Sequence, residues 1–161
     1  MHRKIVHAIT TAAMVLLVSA CAVQSVKPGA TREEVIKSYG QPTNIVPLPT
    51  GTRLQYSLQP LGRSAVMVDL DASGRVVSAR EVMNPTDFAR VKPDEWTRQD
   101  VEREFGRPAM VDRVMSWPGD IMTYRWRDAD QPMFFYVYLD STNTVRRIGQ
   151  AMEFPMRYEP D

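Results

Sequence analysis

Only one of the 161 residues is a cysteine, Cys21, so no disulfide can form within the chain and the fold must rest on packing and hydrogen bonding. Histidine is almost as scarce, with His2 and His7 the only two. Beyond His7 there is no imidazole. This removes Ser–His and Cys–His nucleophile pairs, a histidine general base and the histidine-thiolate ligand sets of zinc. An excess of one charge is also lacking: 20 basic and 19 acidic residues are interspersed, for a net charge of +1, which argues against nucleic acid as a partner. There is no glycine-rich phosphate loop, and Gly62-Arg63-Ser64-Ala65-Val66 lacks the closing glycine of a nucleophile elbow. A carboxylate-based hydrolase would need an acidic pair, and the spacing nominates none. The expectation is a non-enzyme with no cofactor, no metal and no small-molecule substrate.

No apolar run is long enough to span a bilayer. The longest, Ala8 to Val18, follows the basic Arg3 and Lys4 and precedes the small residues Ser19 and Ala20, the three-part layout of an export signal. The lone cysteine follows at once, so Val18-Ser19-Ala20-Cys21 resembles the bacterial lipobox. This implies cleavage after Ala20 and acylation of the Cys21 thiol. A plain secretory peptide with an incidental cysteine, or an uncleaved anchor, is the alternative, and the compactness of the pattern argues against both. Two or three acyl chains on one residue anchor a protein firmly without a membrane span. Ala22 stands where an aspartate would retain such a lipoprotein in the inner membrane, so the expected location is the outer membrane, facing the periplasm.

The remaining chain matches itself. Thr31 to Pro42 aligns residue for residue with Thr97 to Pro108 at a shift of 66, and Val68-Asp69-Leu70-Asp71 aligns with Val137-Tyr138-Leu139-Asp140. Each half opens with a short helix. Thr31 with Glu34 makes a capping box and Thr97 with Asp100 a weaker one, while Gly40 and Gly106 end the helices and Pro42 and Pro108 prevent their resumption. Val35 and Tyr39, like Val101 and Phe105, share one helical face, which should be buried. Period-two segments follow at Arg53 to Leu58, Ala65 to Leu70 and Arg75 to Val82, then at Ile121 to Arg127, Met133 to Leu139 and Thr144 to Met152. The last hairpins turn at Ser73-Gly74 and Thr142-Asn143. The predicted class is α+β, two tandem repeats each with a short helical region on a three-stranded antiparallel meander. The divisions are 1–20 signal peptide, 21–26 lipidated tether, 27–82 first repeat, 83–90 linker, 91–153 second repeat and 154–161 tail.

This pattern resembles the BamE (SmpA/OmlA) family of small outer-membrane lipoproteins, through Gly29, Thr31, Val35, Gly40, Pro42 and the strand-turn Asp71 to Val76. The second half keeps Thr97, Val101, Gly106 and Pro108 but has Asp94-Glu95-Trp96 as its lead-in. The resemblance implies a non-catalytic accessory in outer-membrane β-barrel assembly or envelope integrity, with a protein partner in that machinery. The tandem architecture is also similar to that of β-lactamase inhibitory protein. That likeness implies the alternative of a periplasmic enzyme inhibitor or regulator gripping through a joined sheet.

Two local patterns complete the reading. Asp69-Leu70-Asp71-Ala72-Ser73-Gly74 matches the opening of a calcium loop, but Arg80 stands where the bidentate glutamate is needed, so a hairpin is expected. On the strands, Val66, Val68 and Leu70 align with Phe135, Val137 and Leu139 as the face toward the helices. The opposite face carries Ala65, Met67 and Asp69 in the first half but Phe134, Tyr136 and Tyr138 in the second. With Trp117 nearby, this aromatic row is the candidate partner-binding face, packing of the rings on one another or on the Trp117-Pro118-Gly119-Asp120 turn being the bland alternative. Arg125, Arg127, Arg146 and Arg147 flank it and offer charges for acidic partners or phospholipid head groups.

Overall fold

A computed structural model describes residues 26–154. The segment read as an export signal, Cys21, the residues read as its tether other than Val26, and the tail beyond Phe154 lie outside the described residues.

The first half contains α1 (Arg32–Tyr39) followed by β1 (Asn44–Leu48), β2 (Gly51–Ser57), β3 (Ala65–Asp71) and β4 (Val76–Glu81). After α2 (Pro85–Phe88), the same order recurs as α3 (Arg98–Phe105), β5 (Met110–Asp112), β6 (Ile121–Asp128), β7 (Gln131–Leu139) and β8 (Val145–Met152). Each set of strands forms its own antiparallel sheet, in the orders β1-β2-β3-β4 and β5-β6-β7-β8. Three differences from the sequence reading stand out. Each sheet has four strands, not three, because an edge strand precedes the meander. The strand β1 escapes a propensity reading since Pro47 lies within it, which only an edge position tolerates, and β5 has three residues. The segment read as a linker, 83–90, contains α2, and both Met83 and Phe88 are buried in the core. Among the described residues no strand of one sheet pairs with the other, so they form two sheets and not the single joined sheet that the inhibitor resemblance implies.

The helices begin and end for the expected reasons. Thr31 and Thr97 both cap the N3 backbone N–H, and Glu34 and Asp100 accept the cap N–H in return, at 2.7 Å in each case. Gly74 and Asn143 take the positive φ of their hairpin turns, +79° and +63°. Asp71 accepts from the N–H groups of Ser73 and Arg75, and Asp140 from those of Thr142 and Thr144. The carboxylate of the apparent calcium loop is thus committed to the turn.

Packing produces four layers. Val35 of α1 covers Leu54, Tyr56, Val68 and Leu70 on one face of the first sheet. Val101 and Phe105 of α3 cover Tyr124, Phe135, Val137 and Leu139 of the second sheet, joined by Phe88, whose ring stacks on Phe135 with centroids 4.0 Å apart. The other face of the first sheet was expected to meet solvent. Instead Ala65 and Met67 are fully buried in the same cluster as α3, because α3 lies between the sheets.

The polar residues on that face do the joining. Arg53, 5% exposed, forms a bidentate pair with Asp69 at 2.6 and 2.9 Å, reaches Glu104 of α3 at 2.9 Å and donates to the Arg103 carbonyl at 3.0 Å. Gln55 donates to the Glu102 and Arg103 carbonyls, so two side chains of the first sheet reach the last turn of α3, where the Glu102 carbonyl also accepts the capping Gly106 N–H. Arg80 pairs with Asp87 and Glu104, and Arg90 with Asp87, drawing in α2.

Removing Arg53 leaves Asp69 and Glu104 facing each other with their central cation gone. Arg53→Ala should lower the unfolding free energy by about 3–5 kcal/mol in chemical denaturation, the cost of breaking a buried pair, whereas Glu33→Ala on the exposed side of α1 should change it by less than about 0.5 kcal/mol.

Candidate docking face on the second sheet

The helix-covered face of the second sheet takes the odd residues of β7, which leaves Phe134, Tyr136 and Tyr138 on the other. Their cross-strand partners share that face: Arg125, Thr123 and Ile121 on β6, Ala151, Gly149 and Arg147 on β8. The strand β5 adds Met110 beside Thr123 and Asp112 beside Ile121. The result is three rows across the sheet, Asp112–Ile121–Tyr138–Arg147, Met110–Thr123–Tyr136–Gly149, and Arg125–Phe134–Ala151. Among the described residues no helix covers them.

The three rings are half-buried because they lean on one another, with centroids 5.8 Å apart for Phe134–Tyr136 and 6.3 Å for Tyr136–Tyr138. Burial raises the ionisation of the Tyr136 phenol above its ordinary value, so it stays neutral and can donate a hydrogen bond at any physiological pH. Trp117 closes one end. Its indole N–H donates to the Leu139 carbonyl at 2.6 Å and its ring meets Tyr138 edge-on, centroids 5.2 Å apart. Gly119 makes this turn possible: a Cβ there would lie 2.2 Å from the Leu139 carbonyl oxygen, and Gly51 is in the same position against Leu70 in the first half. The Arg147 guanidinium lies 3.8 Å over the Tyr138 ring and 5.3 Å from that of Trp117. The mutual packing of the rings and their exposure on an uncovered face therefore occur together.

The four flanking arginines are not equivalent. Arg146 is held by Asp94 and Asp140, Arg127 approaches Asp130 at 3.9 Å, and Arg125 pairs with Glu153. Among the described residues Arg147 alone of the four has no carboxylate partner. Arg125 also anchors the loop after β2. Its guanidinium donates to the Pro60 carbonyl at 3.0 Å, its backbone N–H and carbonyl pair with the Gln59 amide, and Arg63 of that loop meets Glu153 at 2.8 Å. The Gln59 side chain thus continues the β6 edge where β5 stops. No spacing rule points to this clasp, since Gln59 meets Arg125 across 66 residues and Arg63 meets Glu153 across 90. The lipid-attachment candidate, Cys21, is outside the described residues, and no group of histidine, cysteine or acidic side chains suited to a metal occurs among those described. No helix in the described region is long and apolar enough to cross a membrane.

No protein-family model matches the chain, and no curated protein matches it. Among solved structures it is similar to a DUF4309 family protein, YjgB, from Bacillus subtilis, at 11% identity over 84% of each chain and a TM-score of 0.33. It is also similar to an extracellular protein containing a SCP domain from Bacillus anthracis, at 14% identity over 93% of this chain and a TM-score of 0.34; the chain spans 57% of that protein's length. At these scores neither likeness extends to function.

The clasp generates a pH dependence. Burial opposes ionisation of Glu153, but hydrogen bonds and charge from Arg125 and Arg63 outweigh it and hold the carboxyl below its ordinary value of 4.5. A depressed folded-state value means stability that is present above that pH and lost as the pH falls through the folded value. Denaturation midpoints should therefore decline below pH 4.5, and Glu153→Gln should be less stable at pH 7 while showing a shallower acid decline.

Proposed function

We propose that this chain is an outer-membrane lipoprotein, anchored through acylated Cys21 and facing the periplasm, that acts as a non-catalytic binding accessory in β-barrel assembly or envelope integrity. The observation that carries the binding role is the outer face of the second sheet. A row of three aromatic side chains with Trp117 and a stacked, carboxylate-free arginine lies on a sheet face with no helix over it, and such aromatic and arginine groups dominate protein-docking surfaces. The anchor rests on the Val18-Ser19-Ala20-Cys21 pattern behind its apolar run.

The accessory role rests on the resemblance of each half to the BamE family, and correspondences between the halves support reading them as two such units. Tyr56 donates to the Gly40 carbonyl and Tyr124 to that of Gly106, tying each second strand to the end of its helix. The helix lead-ins bridge the last strands at Thr31–Arg75 and Thr97–Thr144, and the register shifts at Asp69/Leu70 and at Tyr138/Leu139 fall at aligned residues.

Crosslinking the full-length lipoprotein in membranes, followed by mass spectrometry of what it captures, tests the proposal. Barrel-assembly components should be enriched. Recovery should fall by about tenfold or more both for Cys21→Ser and for the triple variant Phe134→Ala, Tyr136→Ala, Tyr138→Ala, the latter retaining its circular-dichroism spectrum. Capture unchanged by the triple variant would remove the aromatic face from the mechanism. One soluble enzyme captured equally with and without the lipid would replace the accessory role by inhibition.

A further inference from the structure

The two sheets place the same rows of residues on the same side, yet their fates differ. In the first, Arg53, Gln55, Asp69 and Arg80 make that side polar and charged, and α3 covers it with matching groups. In the second the side is aromatic; Arg125 is neutralised by Glu153, and charge without an oppositely charged partner among the described residues is left at the two margins of one row, Asp112 on the β5 edge and Arg147 on the β8 edge. An exposed helix such as α1 shows Glu33, Glu34, Lys37 and Ser38 outward, which match nothing on an aromatic face.

A copy of the face itself does match. A two-fold axis parallel to the strands and midway between β6 and β7 lays each row over its own reverse. Asp112 then faces the partner's Arg147 at both margins. In the next row Met110, 44% exposed, faces the partner's Gly149, where nothing lies closer than 3.9 Å to an added Cβ. Tyr136 lies opposite the partner's Thr123, which is 1% exposed and so is floor rather than hole, and Phe134 lies opposite an Arg125 already held by its own Glu153. At Met110 and Gly149 knob meets hole, and at the margins cation meets anion, in one arrangement. From this complementarity we infer that the outer face of the second sheet pairs with the same face of a second copy of the chain, forming a symmetric dimer. The inference rests on the reading of this face as a protein-docking surface and names its partner.

Size sets the strength. Four strands and three rows span roughly 15–20 Å each way, a few hundred Å² per copy, below the ~800 Å² per partner of a standard interface. Association in free solution should therefore be weak, and tethering of both copies to one membrane plane by acylated Cys21 supplies the missing effective concentration.

Sedimentation equilibrium of the soluble Cys21→Ser form across about 10 µM to 1 mM tests this, with the crosslinked dimer of the lipidated form measured in membranes. A concentration-dependent monomer–dimer equilibrium is expected. Arg147→Asp and Asp112→Arg should each weaken it by about tenfold or more, and the double exchange should restore it to within about threefold. Gly149→Arg, which closes the hole by a route independent of charge, should also abolish it. That substitution is compatible with the fold, because arginine already occupies the matching row position, Arg80, beside Met67. A monomer at every concentration overturns the dimer, and if membrane capture still depends on the aromatic triple, the face belongs to a different protein. Association that continues past the dimer, or that survives Arg147→Asp with no rescue in the double exchange, also overturns the symmetric pairing.

Discussion

Arg53 is the point on which the arrangement of the two halves depends. It is a buried cation held by Asp69 of its own sheet, Glu104 of α3 and the Arg103 carbonyl at the end of that helix. A buried charge pair costs several kcal/mol to desolvate and recovers this only where every partner is well placed. Here the placement is shared between the halves: the sheet supplies one carboxylate, the helix the other, and the helix dipole adds a third favourable contact. Neither half can satisfy the group alone. Slippage of α3 along the first sheet would strand a charge, so the network fixes the register between the layers in a way that Ala65 and Met67, packing without direction, do not.

The same contact explains why similar halves have different surroundings. Each half packs its helix on its own sheet through a valine and an aromatic four residues apart, Val35 with Tyr39 and Val101 with Phe105. The first half contributes the back of its sheet to its successor; among the described residues nothing covers the corresponding side of the second. A charged face like that of Arg53, Asp69 and Arg80 would sit poorly at the end of such a stack without a helix to meet it. Aromatic rings that lean on each other reduce the exposed apolar area while leaving a firm surface. Stacking of Arg147 on Tyr138 serves the same end, covering a ring with a group that remains hydrated at its rim.

Local features were legible in the sequence, and long-range ones were not. The capping boxes at Thr31 and Thr97, the helix ends at Gly40 and Gly106, six strands and both hairpin turns follow from residue types within a few positions of one another. The helix-facing row Val66, Val68 and Leu70 followed from period two and lies where expected, under Val35. The strand β1 was hidden by Pro47 and β5 by its brevity. The second burial of the first sheet was hidden for a different reason: Ala65 and Met67 alternate with Val66 and Val68, and such a continuous apolar run marks a strand buried on both sides. The run was there to be read, but its covering helix lies some thirty residues further on. The partners of Arg53 and Gln59 are chosen by topology, and no spacing rule reaches them.

The aromatic row was identified by alignment of one half against the other, and the structure explains why that comparison is informative. Where two sheets share a strand order, a row that is Ala65, Met67 and Asp69 in one and Phe134, Tyr136 and Tyr138 in the other is not set by that order, since the same hydrogen-bonded strands carry both. The difference must answer to what lies over the row. For Arg53, Asp69 and Arg80 that is α3, within the chain. For Phe134, Tyr136 and Tyr138 nothing among the described residues lies over it, so their chemistry points outward, to a surface that buries aromatic rings and meets a cation at one margin.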